Sequence, residues 1–529
     1  MKATLKLALP ALAAAATLVA CGGSGSDSSS GSTTGATSGS SGPTTATSQR
    51  GTLLQNPPTE AGGYGTSDIL TLLALSSLGE ELLQLSTAPV CAVTIYHLEY
   101  DTVGALGEAT TASAALMLPS GTAAACQGPR PIVLYAHGTT PDKTFNIADL
   151  SQSDNDEGLL LTAVFASQGY IVVAPNYAGY DTSTLSYHPY LVADQQSKDM
   201  IDALTAARAA LTGALAPPVS DSGKLFVTGY SQGGFVAMAT ARAMQGAGET
   251  VTAAGPMSGP YALAAFGDAV FLGEVDLGAT VNVTLLTDSY QKTYGNIYST
   301  PTDVFTAQYA TGIGTLLPST TAITSIYSQG LLPQNALFSA TPPAMQYASI
   351  TPATTPANLA PAFALGFGDP PLVLNTYRAS YLEDEAAAPD GGFPTLTTNV
   401  PAASPGNTLR VALKANDLRD WVPTMPILLC GGQSDPDVFY FDTQLMNQYW
   451  VTNPPTVPVT TVDVDSAPTT NDPYAAFKDV FADAKAAVAA DAIASGATDG
   501  GALAVLEDYH ATLVPPMCLG AVKKFFDGF

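Results

Sequence analysis

Short apolar runs alternate with longer amphipathic stretches along much of the chain. The runs PIVLYAHG (131–138), YIVVAPNYAG (170–179) and LFVTGY (225–230) have the pattern of strands that are buried on both faces. Helical patterns lie between and after them, at 159–169, 193–211 and 235–245. This alternation predicts an α/β fold with a mostly parallel central sheet that is flanked by helices.

The segments on either side extend this core. Upstream, residues 67–85 have a helical pattern, and two β-rich segments within 92–118 predict an antiparallel hairpin. Further patterns follow downstream: strands at 250–261, 425–432 and 457–464, and helices at 472–496 and 519–527.

The alternation stops between residues 262 and 407, which are rich in Pro, Thr, Tyr and Gly and carry irregular helical patches. We interpret this stretch as a cap or lid insertion that divides the core into 51–261 and 408–529. Its Leu, Ala, Phe and Tyr content suits an apolar acyl or aromatic group, but it would equally serve to pack the cap.

The N-terminus has the pattern of a targeting segment, because Lys2 and Lys6 precede an Ala/Leu-rich stretch that ends in Leu18-Val19-Ala20-Cys21. The tetrapeptide resembles a bacterial lipobox, which implies a signal peptide over 1–20 and lipid attached to Cys21. An ordinary secretory signal is the alternative. Residues 21–50, which are mostly Gly, Ser, Thr and Ala, predict a flexible tether. We therefore expect an exported, membrane-anchored lipoprotein, on the outer membrane or cell surface of a Gram-negative cell, or released from it.

Composition narrows the function classes. The 529 residues include 46% hydrophobic and 12% charged residues, and the net charge of -26 would repel nucleic acid. The sequence contains no Walker lysine motif, dinucleotide-binding glycine fingerprint or zinc spacing. The acidic stretch 149–158 lacks the ligand spacing of an EF-hand, and we interpret it as a solvated loop.

Four cysteines remain after Cys21: Cys91, Cys126, Cys430 and Cys518. In an exported protein they predict two disulfides, and three pairings are possible. Pairing Cys91 with Cys126 and Cys430 with Cys518 closes the shorter loops. Free buried thiols are the alternative.

The candidate chemistry centres on Gly229-Tyr230-Ser231-Gln232-Gly233, which lies between a predicted strand and a predicted helix. This G-x-S-x-G spacing in that context indicates a nucleophile elbow, although glycine and serine are also common in ordinary turns. A serine nucleophile needs a base and usually an acid that orients the base.

The partners of Ser231 follow from chain order. His510 is the one histidine that comes after the serine, and we expect it in a loop before the terminal helix, which predicts it as the base. Asp435 follows the predicted strand 425–432 and is our candidate acid, with Asp437 as the alternative. For the oxyanion hole we predict the backbone N–H of Gln232 and that of Thr139, with Thr140 as the alternative to Thr139.

Several of these motifs resemble those of a known protein family. HG at 137–138, GYSQGG at 229–234, GGQSDPDV at 431–438 and YH at 509–510 resemble an α/β-hydrolase, over roughly residues 90–528 by element order. GPYAL at 259–263, the insertion and NDLRDWVPTMPILLCGG are similar to capped secretory lipases of the lipase-A-like branch. The resemblance implies carboxylic ester hydrolysis without a cofactor or metal, and a helical cap over the acyl pocket.

We therefore expect a serine ester hydrolase that acts on small esters, lipids or polyesters. Two other functions remain open at this point: a serine peptidase of the same fold, and an inactive surface-binding lipoprotein.

Overall fold

The computed structural model describes residues 49–75, 88–152, 155–215 and 217–529. The predicted signal peptide, Cys21 and most of the predicted tether lie outside these residues. The predicted helix 67–85 is described only in part, as α1 over Thr66–Leu75.

A central sheet of nine strands runs through the described residues, in the order β1-β2-β3-β5-β4-β6-β7-β8-β9. The first four strands of this order pair antiparallel, and the six from β5 to β9 pair parallel. The mostly parallel sheet is therefore confirmed. The strands are β1 (Thr59–Tyr64), β2 (Ala92–Val103), β3 (Ala109–Ser120), β4 (Gly128–Ala136), β5 (Ile171–Pro175), β6 (Val219–Tyr230), β7 (Ala253–Met257), β8 (Ile427–Gly431) and β9 (Val459–Asp463).

Strand β1 was not predicted from the sequence. Its sequence TEAGGY has no apolar alternation, and most of its side chains are exposed. It joins the sheet at the edge through backbone pairing with β2. Backbone pairing of this kind leaves little pattern in the side chains.

Both faces of the sheet are covered, as continuous apolar strands require. In β4, Ile132 and Leu134 pack into one core cluster, whereas Val133 and Tyr135 pack into a second one. The first cluster includes side chains of α3 (Ala193–Thr212) and α4 (Gln232–Gly246). The second cluster includes side chains of α2 (Asp156–Val164) and α15 (Val514–Phe526).

The segment between β7 and β8 carries seven α-helices, which confirms a helical insertion at this point of the fold. The boundaries 262–407 remain a prediction. Its α-helices are α5 (Leu263–Phe271), α6 (Ala279–Tyr294), α7 (Ala307–Ala310), α8 (Ile323–Ser328), α9 (Ala360–Leu365), α10 (Asn375–Ala387) and α11 (Thr408–Asn416). After β8 come α12 (Phe441–Thr452), α13 (Ala475–Ala494) and α14 (Ala502–Asp508). None of the helices in the described ranges is long and apolar enough to cross a membrane.

Buried ion pairs connect different parts of the segment between β7 and β8. Arg410 of α11 donates to both carboxylate oxygens of Asp268 in α5, at 2.8 and 2.7 Å. Arg419 pairs in the same way with Asp390, at 3.0 and 2.7 Å. Removing one partner of such a pair leaves an uncompensated buried charge, so each pair restricts how these segments can move apart.

Two disulfides form, in the pairing that closes the shorter loops. Cys91 bonds to Cys126, and Cys430 bonds to Cys518. The second bond connects strand β8 to helix α15, and these two elements flank the candidate active site.

Parallel pairing brings the carboxyl ends of the central strands to one edge of the sheet. Ala136 of β4 lies opposite Gly229 of β6, and Met257 of β7 lies opposite Tyr230 of β6 and Cys430 of β8. The segments that leave these strands carry Thr139, Ser231 and Asp435. The register therefore gathers three predicted site residues at the same edge.

Candidate active site

Ser231 lies at a tight turn between β6 and α4. Its backbone has φ 59° and ψ -123°, a conformation that residues with side chains rarely adopt. A Cβ on Gly229 would lie 2.3 Å from the Gly233 carbonyl oxygen, and one on Gly233 would lie 1.9 Å from the Ala136 carbonyl oxygen. The spacing of glycines around the serine is therefore required by close backbone approach.

The structure brings Ser231, His510 and Asp435 together. His510 Nε2 lies 2.8 Å from Ser231 Oγ, and His510 Nδ1 lies 2.8 and 3.0 Å from the two carboxylate oxygens of Asp435. In this arrangement Nδ1–H donates to the carboxylate, which leaves Nε2 free to accept the serine proton.

Of the two candidate acids, Asp435 contacts the histidine. Its Oδ1 also accepts the backbone N–H groups of Asp437 and Val438, both at 3.0 Å, so the turn holds the carboxylate in place. The Asp437 carboxyl lines the cavity above Ser231. Burial, together with the charges of Asp435 and Asp276, raises the pKa of Asp437 to about 8, although His510 opposes the shift.

His510 was expected in a loop, and that prediction is wrong. It lies in a π-helical turn, Tyr509–Leu513, between α14 and α15. Pro515 and Pro516 follow, and they lack the N–H groups that a regular α-helix would donate to the carbonyls of residues 511 and 512. The Tyr230 hydroxyl donates to the His510 carbonyl at 2.6 Å and anchors the turn beside the serine.

Burial and nearby carboxylates act on the pKa of His510 in opposite directions. Burial, the largest single effect, lowers this pKa, but the charge and hydrogen bond of Asp435, with the charges of Asp437 and Glu157, outweigh it and raise the pKa to about 9. The Asp435 carboxylate thus stabilises the imidazolium that forms when the histidine takes a proton.

The loop after β4 is fixed from two sides. The Gly138 N–H donates to Glu157 Oε1 at 2.9 Å, and His137 Nδ1 lies 2.7 Å from the Gly138 carbonyl oxygen. Burial lowers the pKa of His137 to about 4, so the ring is neutral and Nδ1–H can donate. In a trans peptide the next N–H, that of Thr139, points away from the Gly138 carbonyl.

The second predicted donor residue, Gln232, is the first residue of α4. The first N–H groups of a helix have no partner within it, and they lie at the positive end of the helix dipole. The Gln232 side-chain Nε2 lies 2.8 Å from Nε2 of the buried His188, which fixes the direction of the Gln232 side chain. Thr139 and Gln232 line the same cavity as Ser231, and Thr140 is not among the described residues that do so.

A cavity of about 700 Å³ opens above Ser231. Much of its wall is apolar and comes from the segment between β7 and β8, including Leu263, Phe266, Val270, Leu286, Ile323 and Leu413. Carboxyl groups face it as well, from Glu157, Asp276 and Asp437, and no Lys or Arg occurs among its described lining residues. No group of three or more potential metal ligands is found in the described parts of the chain.

Sequence reasoning did not identify Glu157, His188 or Tyr190 as part of this region. Glu157 lies in the acidic stretch 149–158, which we had interpreted as a solvated loop, and that interpretation is wrong for this residue. Tyr190 lies 2.9 Å, hydroxyl to hydroxyl, from Thr139. No motif marks these residues, because each contacts the site from a distant part of the chain.

Comparisons with known proteins agree with this geometry. Residues 160–256 match the model of the prolyl oligopeptidase family, a span that includes Ser231. A search of curated proteins found no match. The chain is similar to the rice cell wall degrading esterase LipA from Xanthomonas oryzae, at 25% identity over 91% of this chain and 99% of that one, with a TM-score of 0.63.

A ligand-bound form of the same esterase matches at 24% identity over 90% of this chain and 98% of that one, also with a TM-score of 0.63. These similarities support a hydrolase. The chain therefore has the α/β-hydrolase fold, and its similarities support its placement in the α/β-hydrolase superfamily.

Proposed function

We propose that this chain is a serine carboxylic ester hydrolase with Ser231 as nucleophile, His510 as general base and acid, and Asp435 as the residue that orients His510. The observation that carries the proposal is the pair of hydrogen bonds at His510, 2.8 Å to Ser231 Oγ and 2.8 Å to Asp435 Oδ2, at the floor of a cavity.

The reaction follows from these positions. Ser231 Oγ attacks the acyl carbonyl while His510 Nε2 takes the hydroxyl proton, and the backbone N–H groups of Gln232 and Thr139 stabilise the oxyanion. The C–O bond to the alcohol then breaks, and His510 returns the proton to the leaving alcohol. Water attacks the acyl-enzyme by the same sequence and releases the acid and free serine.

The cavity supports an ester with an apolar acyl group. Side chains from α5, α6 and α8 of the proposed cap, together with α11, contribute to the apolar wall that such a chain would contact. Similarity to an esterase that degrades rice cell wall also makes an ester in an extracellular polymer a candidate substrate. Export and lipid attachment at Cys21, as proposed from the N-terminal sequence, would place the enzyme where such polymers occur.

A serine peptidase is the second candidate, because the family model that matches residues 160–256 is that of prolyl oligopeptidases. That span runs from α2 to β7 and contains the elbow. The match supports the serine nucleophile without distinguishing between ester and amide substrates.

The test compares wild type with Ser231→Ala on p-nitrophenyl esters of increasing acyl length and on a prolyl p-nitroanilide. We expect ester turnover that is lost in the variant. The wild-type kcat/KM should rise about fourfold for each methylene added to the acyl chain until the cavity is filled, since each buried CH₂ contributes about 0.8 kcal/mol. Serine-dependent turnover of the anilide alone would favour the peptidase, and turnover of neither would favour a binding protein.

A further inference from the structure

We propose that Glu157 is a positioning residue for the oxyanion site, because its carboxylate holds the Gly138 N–H and so keeps the loop after β4 in the conformation in which the Thr139 N–H faces the reacting carbonyl. This inference rests on the proposed function, since it concerns how the same site stabilises its transition state. Glu157 lies 74 residues before Ser231 in the chain and belongs to no motif of the elbow.

The contacts of Glu157 join the end of β4 to the loop that follows it. Oε1 accepts the Gly138 N–H at 2.9 Å, and Oε2 accepts the hydroxyl of Tyr135 in β4. A Cβ built on Gly138 would lie 3.0 Å from Glu157 Oε1 and 3.6 Å from Ser231 Cβ. Gly138 is therefore held between the Glu157 carboxylate and the nucleophile.

The Glu157 carboxylate restricts backbone rotation on the N–H side of Gly138, and His137 restricts it on the carbonyl side. His137 holds the carbonyl of Gly138 and Glu157 holds its N–H, so the backbone on both sides of the Gly138 Cα has a fixed partner. A glycine without such partners rotates easily, because it has no side chain to restrict φ and ψ. Loss of the carboxylate leaves the Gly138 N–H unpaired and lets the Thr139 N–H turn away from the oxyanion.

The carboxylate is itself held in place by the start of α2. The Asn155 side chain accepts the Gly158 N–H at 3.0 Å, which caps the helix, and its Nδ2 donates to the Ile147 carbonyl at 3.1 Å. Burial raises the pKa of Glu157 to about 7, against the opposing effect of the bonds from Tyr135 and Gly138. A carboxyl group is costly to hold in such surroundings, which fits a role beyond solubility.

The test uses the full chain and a reaction that does not depend on the identity of the substrate. A fluorophosphonate labels an activated serine: the Oγ–P bond forms, the P–F bond breaks, fluoride leaves with the electron pair, and His510 takes the hydroxyl proton. The phosphoryl oxygen occupies the oxyanion site in this step. We would measure the labelling rate constant, and kcat and KM for an ester, in Glu157→Ala, Glu157→Asp and Glu157→Gln.

We expect Glu157→Ala to lower the labelling rate and kcat by roughly 10- to 100-fold while KM changes by less than about twofold, as for loss of support to an oxyanion donor. Glu157→Gln should stay within about fivefold of wild type, because its amide oxygen can accept the Gly138 N–H. Glu157→Asp should resemble Glu157→Ala, because its carboxylate is one methylene short. Glu249→Ala, which changes an exposed glutamate beyond α4, is the control that should match wild type.

Labelling of Glu157→Ala within threefold of wild type would overturn the proposal. If that variant fails to fold, the other two decide, and a Glu157→Asp variant that is as fast as Glu157→Gln would overturn it. If Ser231 is labelled but no ester is turned over, the ester proposal fails and the Glu157 comparison still stands on labelling rates. Wild type that is not labelled at Ser231 overturns both proposals.

Discussion

Gly233 offers a sharp test of the elbow geometry. An alanine there would place Cβ 1.9 Å from the Ala136 carbonyl oxygen and 2.8 Å from the His137 carbonyl oxygen, whereas ordinary contacts begin at 3.4 Å. The elbow and the end of β4 must therefore separate by about 1.5 Å, since the obstructing atoms are backbone rather than a flexible side chain.

The displacement changes the relative position of two groups in the site, the Thr139 N–H and the Ser231 hydroxyl. Residues 136–139 lead to the Thr139 N–H, and α4 begins immediately after Ser231. A misplacement of about 1 Å between reacting groups can cost about 100-fold in rate, so we expect Gly233→Ala to lower kcat/KM by at least that factor. Overpacking should also lower the free energy of unfolding by about 1–3 kcal/mol.

The same substitution at Gly246 is a matched control. Gly246 is the last residue of the same helix, and a Cβ there would meet no atom within 4 Å. We expect Gly246→Ala to keep wild-type kcat/KM and to gain up to about 1 kcal/mol of stability, because alanine favours the helix. The assay is ester hydrolysis with urea unfolding of each variant. A Gly233→Ala enzyme within threefold of wild type would refute the claim that close backbone approach selects this glycine.

Three further predictions concern charge and covalent structure. Asp435, with the charges of Asp437 and Glu157, raises the pKa of His510 to about 9, and only the neutral ring can accept the serine proton, so wild-type kcat/KM should rise with pH up to about 9. Asp435→Asn should move this rise to lower pH and reduce kcat roughly 10³- to 10⁴-fold. An unchanged pH profile would contradict the assignment of Asp435. A half-ester with a free carboxylate should be hydrolysed more slowly than the matching neutral diester, by roughly 30-fold for a like charge about 8 Å away at an effective dielectric constant near 20. Burial raises the pKa of Asp276 to about 7 and that of Asp437 to about 8, so both groups lose their protons between pH 6 and 9. The preference for the diester should therefore grow over this pH range. Equal rates for the two esters at pH 9 would show that these carboxyl groups do not face the substrate. Replacing Cys430 and Cys518 together by serine should lower the free energy of unfolding by about 2–4 kcal/mol in denaturant titrations, whereas the double variant would unfold like wild type if the bond contributed nothing.

Much of the core could be read from the chain because its signals are local. The strands β4 to β9 and the helices around the elbow appear as short apolar runs and helical periodicity. The G-x-S-x-G turn needs small residues next to one another in sequence. Ser231 was chosen on such local evidence and His510 by its order in the chain after the serine, and the structure brings both together with Asp435.

The remaining features depend on contacts between residues that are distant in sequence. Asp435 and Asp437 are two positions apart in the same turn, and the direction of two backbone N–H groups leaves Asp435 facing His510. Strand β1 is held by backbone pairing, and the π-helical turn at His510 reflects two prolines that follow it. In the sequence, Glu157 is one of several acidic residues in a polar stretch. Only the packing of α2 brings its carboxylate to the Gly138 N–H. Hydrophobic periodicity indicates which residues are buried. The hydrogen-bond partner of a buried polar group depends instead on which helices and strands pack against one another.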